Sequence, residues 1–397
     1  MNMNYSKNCY APIYLICALF LSSCASHPNT KSLYDFYQPN PQILTEQKVT
    51  PLEIGSPAPN FKLPGIDGQY HSLDDYESFE VLAIIFTCNH CPTAQAYEDR
   101  LIQVASEFKK RSVQFIAISP TSPRGLLYEE LGYTDLDDDF DAMLIRAEDK
   151  GFNFPYLYDG DDQKASIQYG PSATPQAFVF DKDRKLRYRG RIDGNEKPGT
   201  GHAEDLKMAI NQILAGDNIS SPANKAFGCS TKWAWKTDYR KVVDKQWSEK
   251  AVELVEINEE DTKNLMKNED SNRLLLVNVW ATWCGPCRLE YPDFITLQRM
   301  YGARKFEFVS ISADKLSAKD EALNFLQEQQ SAIRNYIFTL EDKYALIEAI
   351  DPNWEGALPY TALIEPDGEI IWSHQGAVDF LDLKKTIVDH PLIGRYY

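Results

Sequence analysis

The stretch that decides the fold reads LLLVNVWATWCGPCRLEYPDFITLQR and covers residues 274–299. Its first seven residues are almost all apolar, as expected of a strand that is buried on both faces. From residue 288 onward the apolar residues recur at helical spacing. Cys284 and Cys287 therefore lie at a junction between a buried strand and a helix.

The same junction occurs earlier in the chain. Residues 80–87 read EVLAIIFT, Cys88 and Cys91 follow, and a helical pattern begins at Pro92. After each junction come a strand, a helical stretch, two closing strands joined by a turn, and a helix. The strands fall at 113–119 and 306–312, the closing pairs at 176–190 and 361–372, and the helices near 203–214 and 381–388. The sequence predicts the order βαβαββα twice, which is an α/β fold.

The length and the net charge of the chain limit the number of domains and the kinds of partner that it can have. The chain has 397 residues, and the 373 that remain after a 24-residue export signal are too many for one domain of about 150 residues. Its net charge of −17 repels phosphate backbones and anionic lipid, so nucleic acid is excluded as a partner. A composition of 43% hydrophobic and 25% charged residues is that of a folded chain.

The amino terminus predicts export. Lys7 precedes an apolar run at residues 11–21, which is too short for the ~20 residues that cross a bilayer. The run ends in Leu21-Ser22-Ser23-Cys24, which resembles the lipobox of bacterial lipoproteins. That resemblance implies a signal peptide at 1–24, a lipid on Cys24, and attachment to the membrane through that lipid only. Because Ala25 follows, it implies the outer membrane, with a tether at 25–50 and a catalytic body in the periplasm.

Five of the eight cysteines remain after the signal segment: Cys88, Cys91, Cys229, Cys284 and Cys287. A disulfide between closely spaced cysteines stabilises a fold only weakly, because it closes a short loop, but it forms and breaks readily. The two C-x-x-C pairs therefore favour redox or metal chemistry over a structural role.

A metal site is the alternative for the first pair. Cys88, His90, Cys91 and Cys229 could supply soft ligands for zinc or copper. The strand-to-helix context favours redox chemistry, and we expect neither a metal nor a cofactor besides the disulfides Cys88–Cys91 and Cys284–Cys287. The acidic run at 135–139 lacks the glycine and glutamate of a calcium loop, and we reject calcium.

The position of each pair assigns chemical roles. Free N–H groups and the positive end of the dipole at a helix N-terminus stabilise a thiolate. If each helix begins at its first cysteine, Cys88 and Cys284 attack the substrate. Cys91 and Cys287 then resolve the mixed disulfide one turn later.

These residues resemble the thioredoxin superfamily, whose active-site motif matches Trp283-Cys284-Gly285-Pro286-Cys287. The resemblance implies two thioredoxin-like domains, each a central mixed β-sheet flanked by helices. It also implies a cis-proline against each site, and Pro175 and Pro359 fit that role. Protein thiols and disulfides would be the substrates, with a periplasmic electron donor.

The two halves resemble different branches. Residues 51–235 are similar to redoxins of the alkyl hydroperoxide reductase/thiol-specific antioxidant group, through motifs such as FTCNHCP at 86–92 and GCSTKW at 228–233. After a linker at 236–250, residues 251–397 look like TlpA-type thioredoxins. In that type an active-site glutamate matches Glu290, which could exchange a proton with Cys287; a solvated helix glutamate is the alternative.

Peroxidase activity is a second reading of the first domain. Peroxidatic enzymes of that group need P-x-x-x-T-x-x-C around the attacking cysteine. Cys88 has Val81 and Ile85 at the Pro and Thr positions, and Cys91 has Ile84 and Cys88 there. A third reading is a module that binds copper or a partner protein, with redox chemistry confined to the second domain.

The residues between the cysteines predict a direction of electron flow. His90 would stabilise the Cys88 thiolate and make the first site more oxidising, whereas Gly285 and Pro286 are those of a reducing thioredoxin. We therefore expect a relay from Cys284/Cys287 to Cys88/Cys91, with two independent reductases as the alternative. Cys229 could be a third thiol, although we favour a buried small residue because cysteine packs well.

Overall fold

The computed structural model describes residues 36–269 and 271–396. The predicted signal peptide and the lipidation site Cys24 lie outside these residues. Within them, no helix is both long enough and apolar enough to cross a bilayer. Pro39–Tyr397 form one compact unit, within which residues 39–50 contain neither helix nor strand.

The first large sheet has five strands in the order β5-β4-β3-β7-β8. Strands β3, β4 and β5 are parallel, and β7 runs antiparallel to β3 and to β8. Two small antiparallel pairs, β1-β2 and β6-β9, accompany it. The elements are β1 (Lys62–Pro64), β2 (Tyr70–Ser72), β3 (Val81–Phe86), α1 (Pro92–Phe108), β4 (Val113–Ser119), α2 (Phe140–Lys150), β5 (Tyr156–Tyr158), α3 (Lys164–Tyr169), β6 (Ala173–Thr174), β7 (Gln176–Phe180), β8 (Leu186–Gly190), α4 (Glu204–Ala215) and β9 (Cys229–Ser230).

The second large sheet has six strands in the order β10-β13-β12-β11-β14-β15. Its central strand β11 pairs in parallel with β12 and antiparallel with β14. The elements are α5 (Thr237–Ser248), β10 (Val255–Ile257), α6 (Glu259–Lys267), β11 (Leu274–Trp280), α7 (Gly285–Tyr301), β12 (Phe306–Ser312), α8 (Lys319–Glu328), β13 (Arg334–Phe338), α9 (Lys343–Ile350), β14 (Tyr360–Ile364), β15 (Ile370–Gln375) and α10 (Phe380–Asp389).

Apolar clusters cover both faces of each sheet. In the first, α1 and α4 pack on one face and α3 on the other. In the second, α7, α8 and α10 pack on one face, and α6 and α9 on the other. The fold class predicted from the sequence, two mixed sheets flanked by helices, is confirmed.

The predicted order lacks β10 and α6 at the start of the second half, and in each half it also lacks a strand–helix unit before the closing strands. The unit is β5 with α3 in the first half and β13 with α9 in the second, and each precedes the closing strands. The strands of these units have three and five residues. Strands this short give too weak an alternating pattern to be recognised against the surrounding loops.

The two halves meet along the segment 128–139. The Tyr301 hydroxyl at the end of α7 donates to the Thr134 carbonyl at 2.7 Å, and Arg304 donates to the Gly132 carbonyl at 2.8 Å. Arg395 forms an ion pair with the buried Asp135. The loop that leads into α2 is thus held by residues of the second half.

Candidate active sites

The second cysteine pair lies where the sequence predicts, at the start of α7. Cys284 caps the helix, and its sulphur accepts a hydrogen bond from the Cys287 N–H at 3.3 Å. The two cysteines form a disulfide. Cys284 is 5% exposed and Cys287 1% exposed, so Cys284 is the more accessible residue of the pair. We call residues 284–287 the CGPC site.

The loop after β12 holds the residues just before the CGPC site, and the loop before β14 lines the same groove as Trp283. Thr282 donates through its N–H and its hydroxyl to Asp314, at 2.9 and 2.8 Å. The peptide bond before Pro359 is cis, and the Pro359 carbonyl accepts from the Gly376 N–H at 2.8 Å. Asp314 is buried and did not enter the sequence-based prediction. Its role follows only from the meeting of β11 and β12 at one edge of the sheet.

Glu290 is a buried carboxyl on α7, one turn after Cys287. It is 7% exposed; Oε2 accepts from the Val378 N–H at 3.0 Å, and Oε1 has no hydrogen-bond partner among the described residues. Burial, with a small contribution from Asp293, raises the pKa of Glu290 to about 7, against the lowering effect of the Val378 N–H. Near neutral pH this carboxyl can therefore accept or release a proton.

An apolar groove of about 230 Å³ lies beside the CGPC site. Trp283 lines one side, and Leu358, Gly356 and Trp354 lie on the chain leading to Pro359. The Trp283 side chain is 65% exposed, which is unusual for tryptophan. Cys284 thus directly follows an exposed aromatic residue, Trp283, which lines the groove.

The first cysteine pair departs from the prediction. Helix α1 begins at Pro92, and its N-cap is Cys91 rather than Cys88. The Cys91 sulphur accepts from the N–H groups of Ala94 at 3.5 Å and Cys229 at 3.2 Å. The expectation that this helix begins at its first cysteine is wrong, because proline fits the first helical position and marks the start of the helix after the second cysteine. We call residues 88–91 the CNHC site.

The environments of the two thiols of the CNHC site differ. Burial, together with hydrogen bonding to Cys91, raises the pKa of the Cys88 thiol well above its ordinary value. Burial also acts on Cys91, but contacts with Cys229, Cys88, His90 and the Ala94 N–H outweigh it and lower the pKa of that thiol. The N–H groups of Ala94 and Cys229 thus surround the Cys91 sulphur in a way that stabilises its thiolate, and the attacking role of Cys88 stays a prediction.

His90 is held by Asp138, a residue that the sequence analysis considered only as part of a calcium loop. His90 Nδ1 lies 2.5 Å from Asp138 Oδ2, and the Asn89 N–H donates to Oδ1 at 2.6 Å. Burial lowers the pKa of His90, but the Asp138 carboxylate outweighs it and the net shift is upward. His90 Nε2 is buried and has no hydrogen-bond partner among the described residues.

The residue before Pro175 closes the CNHC site. The Thr174–Pro175 peptide bond is cis, and Thr174 Oγ1 lies 3.0 Å from the Cys88 sulphur. In its protonated form Cys91 donates to the Thr174 carbonyl at 3.2 Å. Thr174 also pairs with Cys229 across the β6–β9 ladder. The structure therefore brings Cys88, Cys91 and Cys229 together around one backbone segment.

The same cluster offers ligand atoms to a metal ion. Cys88, His90 and Asp138 each place one such atom within 4.8 Å of the others, and all three residues are buried. This set differs from the one considered from the sequence, because Asp138 takes part and neither Cys91 nor Cys229 does. Thiolate, imidazole and carboxylate together suit zinc.

Two family profiles match the chain. Residues 54–189 match the AhpC/TSA family, and residues 248–387 match Redoxin. The chain therefore contains two thioredoxin-like domains of the redoxin group, one around each cysteine pair. The predicted class of thioredoxin-like redox enzyme is confirmed by these matches and by the relatives that follow.

Several curated relatives are named for disulfide chemistry. The thiol-disulfide oxidoreductase ResA of Geobacillus thermodenitrificans is 26% identical over 41% of this chain and 80% of its own length. The thiol:disulfide interchange protein CycY of Rhizobium leguminosarum is 32% identical over 29% of this chain and 57% of its own length. The thiol:disulfide interchange protein DsbE of Allochromatium vinosum is 29% identical over 30% of this chain and 60% of its own length. The chain thus spans less than two thirds of the length of the CycY and DsbE relatives.

A solved structure also resembles part of the chain. An uncharacterised conserved protein of Geobacillus kaustophilus is 32% identical over 46% of this chain and 92% of its own, with a TM-score of 0.41.

Proposed function

We propose that this chain, with its two thioredoxin-like domains, is a thiol–disulfide oxidoreductase of the cell envelope that acts on protein thiols and disulfides. The observation that carries this proposal is the CGPC site. It combines a disulfide at a helix N-terminus, a first cysteine next to an exposed rim and a buried carboxyl whose pKa lies near neutrality. These are the parts that attack, resolution and proton transfer require.

The CGPC reaction has two steps. The Cys284 thiolate attacks a substrate disulfide, forms a mixed disulfide and releases one substrate thiolate. The Cys287 thiol loses its proton to Glu290, attacks the Cys284 sulphur and releases the second substrate thiol. Two electrons pass to the substrate and the Cys284–Cys287 disulfide remains. Cys287, which is 1% exposed, is kept from the partner during the first step.

A protein substrate suits the surface around Cys284. Trp283 is 65% exposed and Leu289 83% exposed, on either side of the disulfide in the sequence. The apolar groove beside Trp283 can receive a segment of extended chain. Substrates are therefore peptide segments with an apolar residue near their cysteine.

The CNHC site would receive electrons from the CGPC site. The N–H groups that donate to the Cys91 sulphur, and the His90 ring held by Asp138, would stabilise a thiolate and hence the reduced form, so this site would be the more oxidising one. The domain boundaries, the relay and its donor remain predictions. So does the lipid anchor at Cys24 in the outer membrane, which rests on the amino-terminal sequence alone.

The test uses the full chain without its signal segment in dithiothreitol-driven reduction of insulin. Cys284→Ser should abolish turnover, while Cys88→Ser, the matched change at the other site, should leave the CGPC reaction in place. Wild-type turnover in Cys284→Ser would contradict the proposal.

Consumption of hydroperoxide at the CNHC site is a second candidate. It is favoured by the burial of both thiols, since Cys88 is 2% exposed and Cys91 fully buried, which suits a small oxidant better than a protein. Cys91 would attack the terminal oxygen, release water or alcohol, and become a sulfenic acid that a neighbouring thiol condenses to a disulfide with loss of water. Peroxide consumption that stops in Cys91→Ser and continues in Cys284→Ser with dithiothreitol would establish it.

A further inference from the structure

The third cysteine of the first domain lies against the CNHC site. Cys229 is in the short strand β9, which pairs with β6 so that Cys229 stands opposite Thr174. Its N–H donates to the Cys91 sulphur at 3.2 Å, and its side chain packs against the cluster of Cys88, Cys91 and Ala94. The three thiols therefore form one cluster, although 138 residues separate Cys91 from Cys229 in the sequence.

Access to the three thiols is unequal. Cys88 and Cys91 are 2% and 0% exposed, whereas Cys229 is half-buried. Thiol–disulfide exchange requires the attacking sulphur to reach the sulphur that it attacks. Of the three cysteines, Cys229 is therefore the most accessible to an external sulphur.

The segment that carries Cys229 is fixed in place. At Gly228, φ is +125°, and a Cβ there would lie 1.9 Å from the Thr174 carbonyl oxygen, so only glycine allows this approach. On the other side, the Thr231 hydroxyl donates to the Pro171 carbonyl at 2.7 Å, and the buried Lys232 forms an ion pair with Glu130. These contacts hold Cys229 in register with the CNHC site.

We propose that Cys229 is the thiol through which the buried CNHC pair exchanges electrons with partners outside, an inference that rests on the proposed redox function. Cys229 attacks an external disulfide and releases one thiolate. Cys91 attacks the Cys229 sulphur, releases the second external thiol and forms a Cys91–Cys229 disulfide. Cys88 gives up its proton, attacks Cys91 and releases Cys229 as a thiol. The external disulfide gains two electrons, and the pair becomes the Cys88–Cys91 disulfide.

The same steps in reverse reduce the pair. An external dithiol opens the Cys91–Cys229 disulfide by attack at Cys229, the half-buried residue. Cys229 is then neither a packing residue nor the final partner of the disulfide. It is a catalytic residue that is returned unchanged in each cycle.

The test uses full chains that carry Cys284→Ser and Cys287→Ser, so that only the CNHC site can cycle. We measure the rate at which oxidised glutathione converts the reduced site to its disulfide, with and without Cys229→Ser. The expected result is a rate at least tenfold lower in Cys229→Ser, with the Cys88–Cys91 disulfide as the final product. Ser230→Ala, at the exposed neighbouring position, is the matched control and should keep the original rate.

A second measurement traps the intermediate. In a Cys88→Ser chain the last step is blocked, so oxidised glutathione should leave a Cys91–Cys229 disulfide that peptide mapping identifies. An unchanged rate in Cys229→Ser, or glutathione held on Cys91 with no link to Cys229, would overturn the inference. Neither result affects insulin reduction at the CGPC site, which tests the proposed function separately.

Discussion

Glu290→Gln should make the second domain more stable above pH 7 and at the same time lower its activity. The substitution keeps the size of the side chain and the acceptor for the Val378 N–H, but removes the ionisable group. The buried carboxyl, with its pKa of about 7, favours the neutral form in the folded state. The unfolded chain ionises the same group near its ordinary value of 4.5.

The sign and the size of the effect follow from linkage. Between pH 4.5 and about 7 the folded state binds more protons than the unfolded state, so this group makes the wild type less stable as pH rises. At 1.36 kcal/mol per pKa unit the full shift is about 3 kcal/mol. Because solvent screens part of the interaction near the surface, we expect about 1–2 kcal/mol. Above pH 7 the Glu290→Gln protein should be the more stable one by this amount.

The assay is urea unfolding from pH 4 to pH 8, combined with insulin reduction over the same range. Glu290→Gln should lack the wild-type loss of stability with pH and should turn over on the order of 100-fold more slowly, since the proton acceptor for Cys287 is gone. Glu348→Gln, which changes a carboxylate on α9, is the control and should behave like the wild type. The same pH slope in Glu290→Gln and wild type would show that the Glu290 carboxyl does not titrate with a raised pKa in the folded state.

Three further changes test the described contacts. Asp138→Asn leaves the buried His90 without its carboxylate partner. The free energy of unfolding, measured in urea, should fall by about 3 kcal/mol. The wild type should lose stability as pH rises through the raised pKa of His90, and the variant should not show this loss. An unchanged pH slope would contradict that role. Gly228→Ala should destabilise the protein by about 1–3 kcal/mol more than Gly151→Ala, because both positions have positive φ but only Gly228 faces a carbonyl; equal losses would show that the close approach does not matter. Arg395→Ala breaks the buried ion pair between the halves and should lower the temperature of the first calorimetric transition, separating it from the second; a single unshifted transition would speak against the interface.

The sequence predicted the sheets well because their signals are local. Strands β11 and β12 have the predicted bounds, since seven apolar-rich residues in a row leave little choice of structure. The short strand β5 was missed for the opposite reason. Proline placed the start of α1 correctly, and the same observation could have moved the N-cap from Cys88 to Cys91.

The site depends on contacts that no local pattern contains. Asp138 lies 48 residues from His90, and Cys229 lies 138 residues from Cys91. The interpretation of Cys229 as a buried packing residue used its type alone, because its pairing with Thr174 depends on the fold. The cysteine spacing pointed to both candidate sites, whereas the difference between the two cysteines of the CNHC site is visible only in the three-dimensional arrangement.

The direction of electron flow between the two sites is decided by the reduction potential of each site, measured in the full chain. Cys284→Ser/Cys287→Ser isolates the CNHC site and Cys88→Ser/Cys91→Ser isolates the CGPC site, each equilibrated in glutathione or dithiothreitol buffers. For a two-electron couple, about 30 mV is a tenfold change in the equilibrium constant. We expect the CNHC site to be the more oxidising by at least that amount, so that electrons flow to it from the CGPC site. Equal potentials, or a CNHC site that is the more reducing, would contradict it.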